Sequence, residues 1–499
     1  MNSGQSPVQR IYDLIEKGRP KDAVALAAPM ASRIDASHAL RAAYAAALKA
    51  VGRTKDAYDV QRGSSRAFPN DRIAWHNLAA AAVDVDNPRE AKAAAEKAFA
   101  LGLDAPETWT IYGRVLIALG DTAGGQAALE KAVARAPGHA VAAVLLAKLI
   151  WMRTADADAA VAPLRNGINS PGADLSMVLV EAKILEAAGR TGEASDLLEG
   201  WTQGYPNDAM LARATGQARM ERGELPGAEW MMRRAVSLDP RLTAAYVGLA
   251  SVLMAQGKAE EALAAAKAAA EIDPGDQSTW GWIATAARAL DLPQHRELYD
   301  YDAFVRPYRI ETPEGWPSLE AYLADLDAAL SRIHTMRAAP SDQTLRAGIQ
   351  TIDDLAQSQD PAIKAFFRAI DKPIRAYMAE MGQGNDPLRS RNTGQYRISD
   401  IWSVLLREQG FHVDHFHPRG WISSAFYVSL PPIVDDGKHE GWIEFGQPPF
   451  AVQPPQPPER FVRPEPGTLV LFPSYMWHGT VPFEGSDRRL TIAFDAVPA

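Results

Sequence analysis

The sequence predicts a multidomain chain: an N-terminal all-α solenoid, then a C-terminal antiparallel jelly roll with flanking helices. Three observations carry that reading. Small turn residues return every 34 or 35 positions as far as Asp291. From residue 391 the composition shifts to short runs rich in Trp, Phe, Val and Pro, with no alternating helices. At 499 residues the chain is also too long for a single hydrophobic core. The expected division is a helical solenoid over 1–298 and a second domain over 299–499. The latter comprises a helical lead-in, 299–390, and a β-core, 391–499.

The helical part is read from two residue series in one phase. Gly18, Gly52, Asp86, Gly120, Thr154, Gly189, Gly223, Gly257 and Asp291 are spaced by 34, except for 35 between Thr154 and Gly189, which places one insertion there. Pro69, Leu103, Pro137, Pro171, Pro206, Pro240 and Pro274 form the second series. Six residues after each comes Trp75, Trp109, Ala143, Met177, Ala212, Tyr246 or Trp280. A 34-residue helix-turn-helix unit closed by proline resembles tetratricopeptide repeats, most closely from Gly257 through Pro274. In such arrays each helix pair buries a face only against its neighbours, and small alanines let helices approach. The resemblance implies about eight stacked repeats with a concave groove for a protein or peptide partner. Scaffolding, or a homodimer formed through the array, is the other use.

Beyond Tyr299 the repeat phase is lost. Ser318–Ala338 and Asp360–Met381 read as helices, with Pro361 and Pro373 marking breaks. After Asn392-Thr-Gly394, strands are expected at 401–406, 421–430, 441–445, 468–472 and 490–494. Residues 447–467 hold eight prolines and read as a loop.

Composition narrows the function. Hydrophobic content of 47% with 23% charged residues is that of an ordinary globular protein. No run of 18 apolar residues occurs, and Ala140–Met152, interrupted by Lys148, reads as a buried helix, so no membrane association is expected. The start, Met-Asn-Ser-Gly-Gln-Ser-Pro, has no basic or apolar signal region. Cysteine is absent, which removes disulfides, thiolate metal sites and cysteine nucleophiles and makes the cytoplasm the expected compartment. A net charge of −9 argues against general nucleic-acid binding.

Five of the ten histidines lie between His412 and His478. His415 and His417, at i and i+2 in an extended segment, share a face, and His478 returns from a later strand to close a third corner around a metal. Neutral imidazole suits Fe, Zn, Cu or Ni. Arg489 can grip a carboxylate with two parallel hydrogen bonds, and Thr491 lies two residues on, on the same face. Alternatives stay open. His412-Val-Asp414 fits the commoner His-x-Asp ligand pattern, with opposite parity. Arg488 could replace Arg489. Trp402, Trp421, Tyr427 and Trp477 could line a pocket or fill the core. His439 reads as a solvated loop residue.

The runs His-Phe-His-Pro418, Trp421 to Tyr427, Gly467 to Ser474, Trp477-His-Gly479 and Arg489 to Phe494 resemble the 2-oxoglutarate/Fe(II)-dependent oxygenase family often found behind tetratricopeptide repeats in bacteria. Gln343–Thr351 is similar to that family's helical lead-in. The resemblance implies a double-stranded β-helix, Fe(II), 2-oxoglutarate as cosubstrate, and O2. It implies that His415, His417 and His478 face the iron, that Arg489 binds the cosubstrate's distal carboxylate, and that Thr491 hydrogen-bonds it. It further implies a dioxygenase that hydroxylates a protein or peptide presented by the repeats. The competing readings are a metal-dependent oxygenase of a small metabolite and a non-catalytic interaction protein.

Overall fold

The computed structural model describes residues 5–352, 354–435 and 437–499. The chain divides into two compact units, one of Met1–Leu149 with Ala162–Asp174, the other of Ile150–Val161 with Leu175–Ala499.

The repeats are helix pairs whose turns share one device. Gly18, Gly52, Gly120, Gly189, Gly223 and Gly257 adopt φ between 69° and 86°, a left-handed conformation that costs glycine little. The next residue's N–H then bonds five residues back, as in Arg53 to Leu48, Glu224 to Arg219 and Lys258 to Leu253, each 2.9 Å. This six-to-one bond satisfies an end carbonyl of the preceding helix. The fifth unit departs from expectation. Its left-handed residue is Ala155, at φ 58°, and Thr154 is the last residue of the helix. The inserted residue therefore precedes Ala155, in Ala140–Thr154, which has 15 residues where Pro106–Ala118 and Ala209–Glu221 have 13. The six-residue spacing from proline to tryptophan also has a cause, because Trp75 and Trp280 donate their indole N–H to Pro69 and Pro274 carbonyls at 2.9 and 3.1 Å.

The β-core contains nine strands among the described residues: β1 Arg306–Arg309, β2 Leu345–Gln350, β3 Tyr396–His412, β4 Ile422–Ser429, β5 Ile443–Phe445, β6 Arg460–Val462, β7 Thr468–Pro473, β8 His478–Thr480 and β9 Arg489–Pro498. They form a six-stranded sheet, β1-β7-β4-β9-β3-β2, and a three-stranded sheet, β6-β5-β8, with every pairing antiparallel. This is a jelly-roll arrangement. Helices Leu319–Ile333 and Pro361–Met381 pack on the large sheet, where the Phe366 and Phe426 rings are 5.0 Å apart.

Three local expectations are corrected. Gln343–Thr351 is not helical: β2 occupies it and pairs with β3. Its buried residues, Leu345 and Ile349, are four apart, a spacing that fits a helix face and a strand face alike. Pro361 opens a helix capped by Asp360, and Pro373 lies inside that helix without ending it. The proline-rich stretch 447–467 contains the short strand β6.

Candidate metal centre

His478 opens β8, and His415 faces it across an isolated antiparallel bridge. The two residues exchange both backbone hydrogen bonds, each 2.9 Å, and their ring centroids lie 4.3 Å apart. The His417 N–H bonds the Ser474 carbonyl at 2.9 Å. That bond brings its ring to 5.1 Å from His415 and 5.0 Å from His478. One ligand atom from each of the three histidines lies within 4.8 Å of the other two.

The hydrogen bonds choose which nitrogen is free. Nδ1 of His415 donates to the Val413 carbonyl at 2.8 Å and Nδ1 of His478 to the Met476 carbonyl at 2.9 Å. Nδ1 of His417 donates to the Asp495 carboxylate at 2.6 and 2.7 Å. Assigned from this network, all three rings leave Nε2 as the free acceptor. Burial, reinforced by the neighbouring imidazoles, pushes His415 down to about 3 and His478 well below the usual histidine range. Both are held in the neutral form that binds metal. The donor set fits a divalent transition metal ion.

Asp495 was not anticipated. It accepts from His417 and from Ser423 Oγ at 2.6 Å, and Ser423 bonds Ser474 at 2.8 Å. Carboxylates in this position fix the tautomer of a ligating histidine. The signal was available in the strand period, since 489, 491 and 495 share a parity on β9.

The His412-Val-Asp414 alternative is not the set that converges. The Asp414 carboxylate turns toward Gly479, where a Cβ would lie 2.6 Å from its Oδ1, and it accepts from Gln447 at 3.1 Å. Burial, with Glu444 adding, pushes it up to about 8. The His412 ring stands 5.6 Å from that of His415, outside the converging group.

Arg489 begins β9 and is 3% exposed. Its Nε donates to the Gly441 carbonyl at 3.2 Å, and its guanidinium lies 5.1 Å from the Tyr427 ring centroid. No described carboxylate pairs with it, and the buried Tyr427 hydroxyl makes no geometrically good hydrogen bond. Tyr427 is in register with Thr491, so both face the side that Arg489 faces. A buried guanidinium without an acid is costly, and a ligand carboxylate would relieve it. Arg488 instead pairs with Asp327 and Ser331.

The tryptophans divide. Trp402 lies 5.6 Å from the His417 ring, whereas Trp421 is fully buried and donates to the Leu388 carbonyl at 2.7 Å. Trp477 is a buried anchor. His439 is not simply solvated, because it stacks on Phe461 at 4.3 Å and contacts Trp442 at 4.5 Å.

Residues 400–495 match the family described as "Putative 2OG-Fe(II) oxygenase", and residues 219–283 match the tetratricopeptide repeat. The chain thus carries a tetratricopeptide-repeat region followed by a domain of that oxygenase family. Among solved structures, it is similar to a tetratricopeptide repeat protein from Parabacteroides merdae at 15% identity, covering 50% of this chain and 97% of that one, with a TM-score of 0.37. MamA is similar at 20% identity over 29% and 80%, with a TM-score of 0.26. The C-terminal part of a repeat protein from Cytophaga hutchinsonii is similar at 13% identity over 48% and 98%, with a TM-score of 0.35. No curated protein matches. Among the described residues, no helix is long and apolar enough to cross a membrane.

Proposed function

We propose that this chain is an Fe(II)- and 2-oxoglutarate-dependent dioxygenase that hydroxylates a protein or peptide recruited by the repeats. The carrying observation is the convergence of three imidazoles, with His417 held by Asp495 on the face of β9 that also bears the buried Arg489 guanidinium, which no described carboxylate pairs. When bound, Fe(II) with 2-oxoglutarate and O2 supplies the oxidising chemistry: the cosubstrate becomes succinate and CO2, and one oxygen atom enters a substrate C–H bond.

The chain's residues supply position and environment. His415, His417 and His478 would hold the metal through Nε2. Asp495 keeps the His417 proton on Nδ1, and the Val413 and Met476 carbonyls do so for the other two rings. Arg489, with Thr491 and the Tyr427 hydroxyl, would hold the distal carboxylate of the diacid. Burial strengthens that charge pairing and excludes bulk water. We assign the recruiting array to 1–298 and the catalytic domain to 299–499, in a cytoplasmic setting. The test is succinate formation that requires both Fe(II) and 2-oxoglutarate and is lost in Arg489→Ala. Failure of the metal-loaded protein to bind 2-oxoglutarate would overturn the reading.

A further inference from the structure

The two segments that carry the three histidines meet on a helix of the repeat array. That helix, Gln277–Ala289, begins within the matched repeat region, 219–283. Gln277, Gly281 and Thr285 are four apart and form one stripe along it. The Gln277 N–H donates to the Pro418 carbonyl at 2.9 Å, next to His417. A Cβ on Gly281 would lie 2.9 Å from a ring carbon of Phe416 and 3.0 Å from the Tyr475 carbonyl oxygen, so both segments close on this glycine. Thr285 Oγ1 donates to the Gly281 carbonyl and accepts the Trp477 indole N–H, both at 2.8 Å.

Phe416 stands between His415 and His417, Trp477 directly precedes His478, and their rings are 4.1 Å apart. Tyr299 completes the clamp. Its hydroxyl accepts the Trp477 backbone N–H at 2.9 Å and donates to the Tyr475 carbonyl at 3.1 Å. Trp477, Thr285 and Tyr299 are 3%, 3% and 4% exposed. These polar groups have the partners they need inside the protein, and removing one strands a buried partner.

We propose that the Gln277/Gly281/Thr285 stripe of the last repeat, with Tyr299, is the positioning element of the metal centre. It sets the distance between the His415/His417 pair and His478 by holding Phe416 and Trp477 against each other. The repeat array on this account serves metal geometry as well as partner recruitment. Thr285, Tyr299 and Gly281 are positioning residues, since none is a metal ligand.

The inference rests on the metal-centre reading, and Co(II) titration of the full-length protein separates the two. The readouts are the Co(II) dissociation constant and the visible ligand-field bands at saturation. Thr285→Val and Tyr299→Phe are near-isosteric and should each weaken Co(II) by roughly tenfold or more, the usual effect of losing support around a ligand, with altered bands. Gly281→Val should do the same or more, and Thr285→Ser should restore wild-type behaviour. Trp280→Phe, whose indole bonds the Pro274 carbonyl within the repeat array, should change melting temperature without changing Co(II) affinity. If Gly281→Val does not fold, the two isosteric variants decide alone. Wild-type affinity and bands in Thr285→Val and Tyr299→Phe would overturn the inference and leave the metal centre standing. No Co(II) binding by the wild type would overturn both.

Discussion

The repeats and the metal centre hold themselves together over very different distances along the chain. In the repeats, polar contacts link neighbours: Arg233 to Glu261 and Lys258 to Glu229, each 2.6 Å, span 28 and 29 residues. Around the histidines, His417 to Asp495 spans 78 residues and Trp477 to Thr285 spans 192. The repeat pairs sit at a partly exposed surface, where one ion pair contributes about 0–1 kcal/mol. Beneath them, alanines such as Ala262, Ala266 and Ala269 are fully buried. Stability there accumulates from many similar small contacts between neighbours. The centre has no such redundancy, because each imidazole proton has its own acceptor.

Breaking the centre should therefore have concentrated effects. His417→Ala or His478→Ala should weaken Co(II) by more than about 100-fold in an equilibrium titration, beyond the usual cost of losing a supporting partner. Arg489→Met should remove about 2–5 kcal/mol of 2-oxoglutarate binding by calorimetry. The same variant should melt at or above the wild-type temperature without ligand, because a buried charge that no described carboxylate pairs is gone. Asp495→Asn keeps the shape of the His417 partner but not its charge, and should raise the metal dissociation constant by roughly 10- to 100-fold.

A titrating histidine tests the β-core away from the ligands. Burial, then Arg488 and Arg407, push His334 down to about 4. Below its ordinary value near 6.5 the unfolded chain takes up a proton that the folded chain refuses until about pH 4. Stability should thus fall as pH drops from 6.5 to 4, by roughly 1–3 kcal/mol. Denaturant titrations should show that slope reduced in His334→Asn, and an unchanged slope would contradict the assignment. The smallest effect belongs to the repeats. Ala155→Gly relieves a left-handed alanine and should stabilise by about 1 kcal/mol or less, read as a shift in denaturant midpoint.

The same contrast explains what could be read from the sequence. The repeats were legible because each unit meets the same packing problem, so Gly223 and Gly257 mark the same turn at the same interval. The slip at Thr154 arose because a small residue in phase need not be the left-handed one, and Ala155 takes that role. In the β-core, residue type and order pointed to His415, His417, His478 and Arg489. The preference for His415 and His417 over Asp414 came from the family resemblance, through Pro418 and the strand that follows it, and the Asp414 carboxylate lies toward Gly479. Thr285 was missed because pairing across 192 residues leaves no local pattern, and Asp495, although in phase with Arg489 on β9, has its partner 78 residues away. The strand in place of a helix at 345–350 has a different cause, since Leu345 and Ile349 suit both periods.

The most direct measurement of the central claim is a crystal structure of the protein loaded with Co(II) and 2-oxoglutarate without oxygen. The account predicts one ion bound by Nε2 of His415, His417 and His478 at about 2.0–2.1 Å, with the diacid's far carboxylate on Arg489. An ion held by Asp414, or a diacid that leaves Arg489 unpaired, would contradict it.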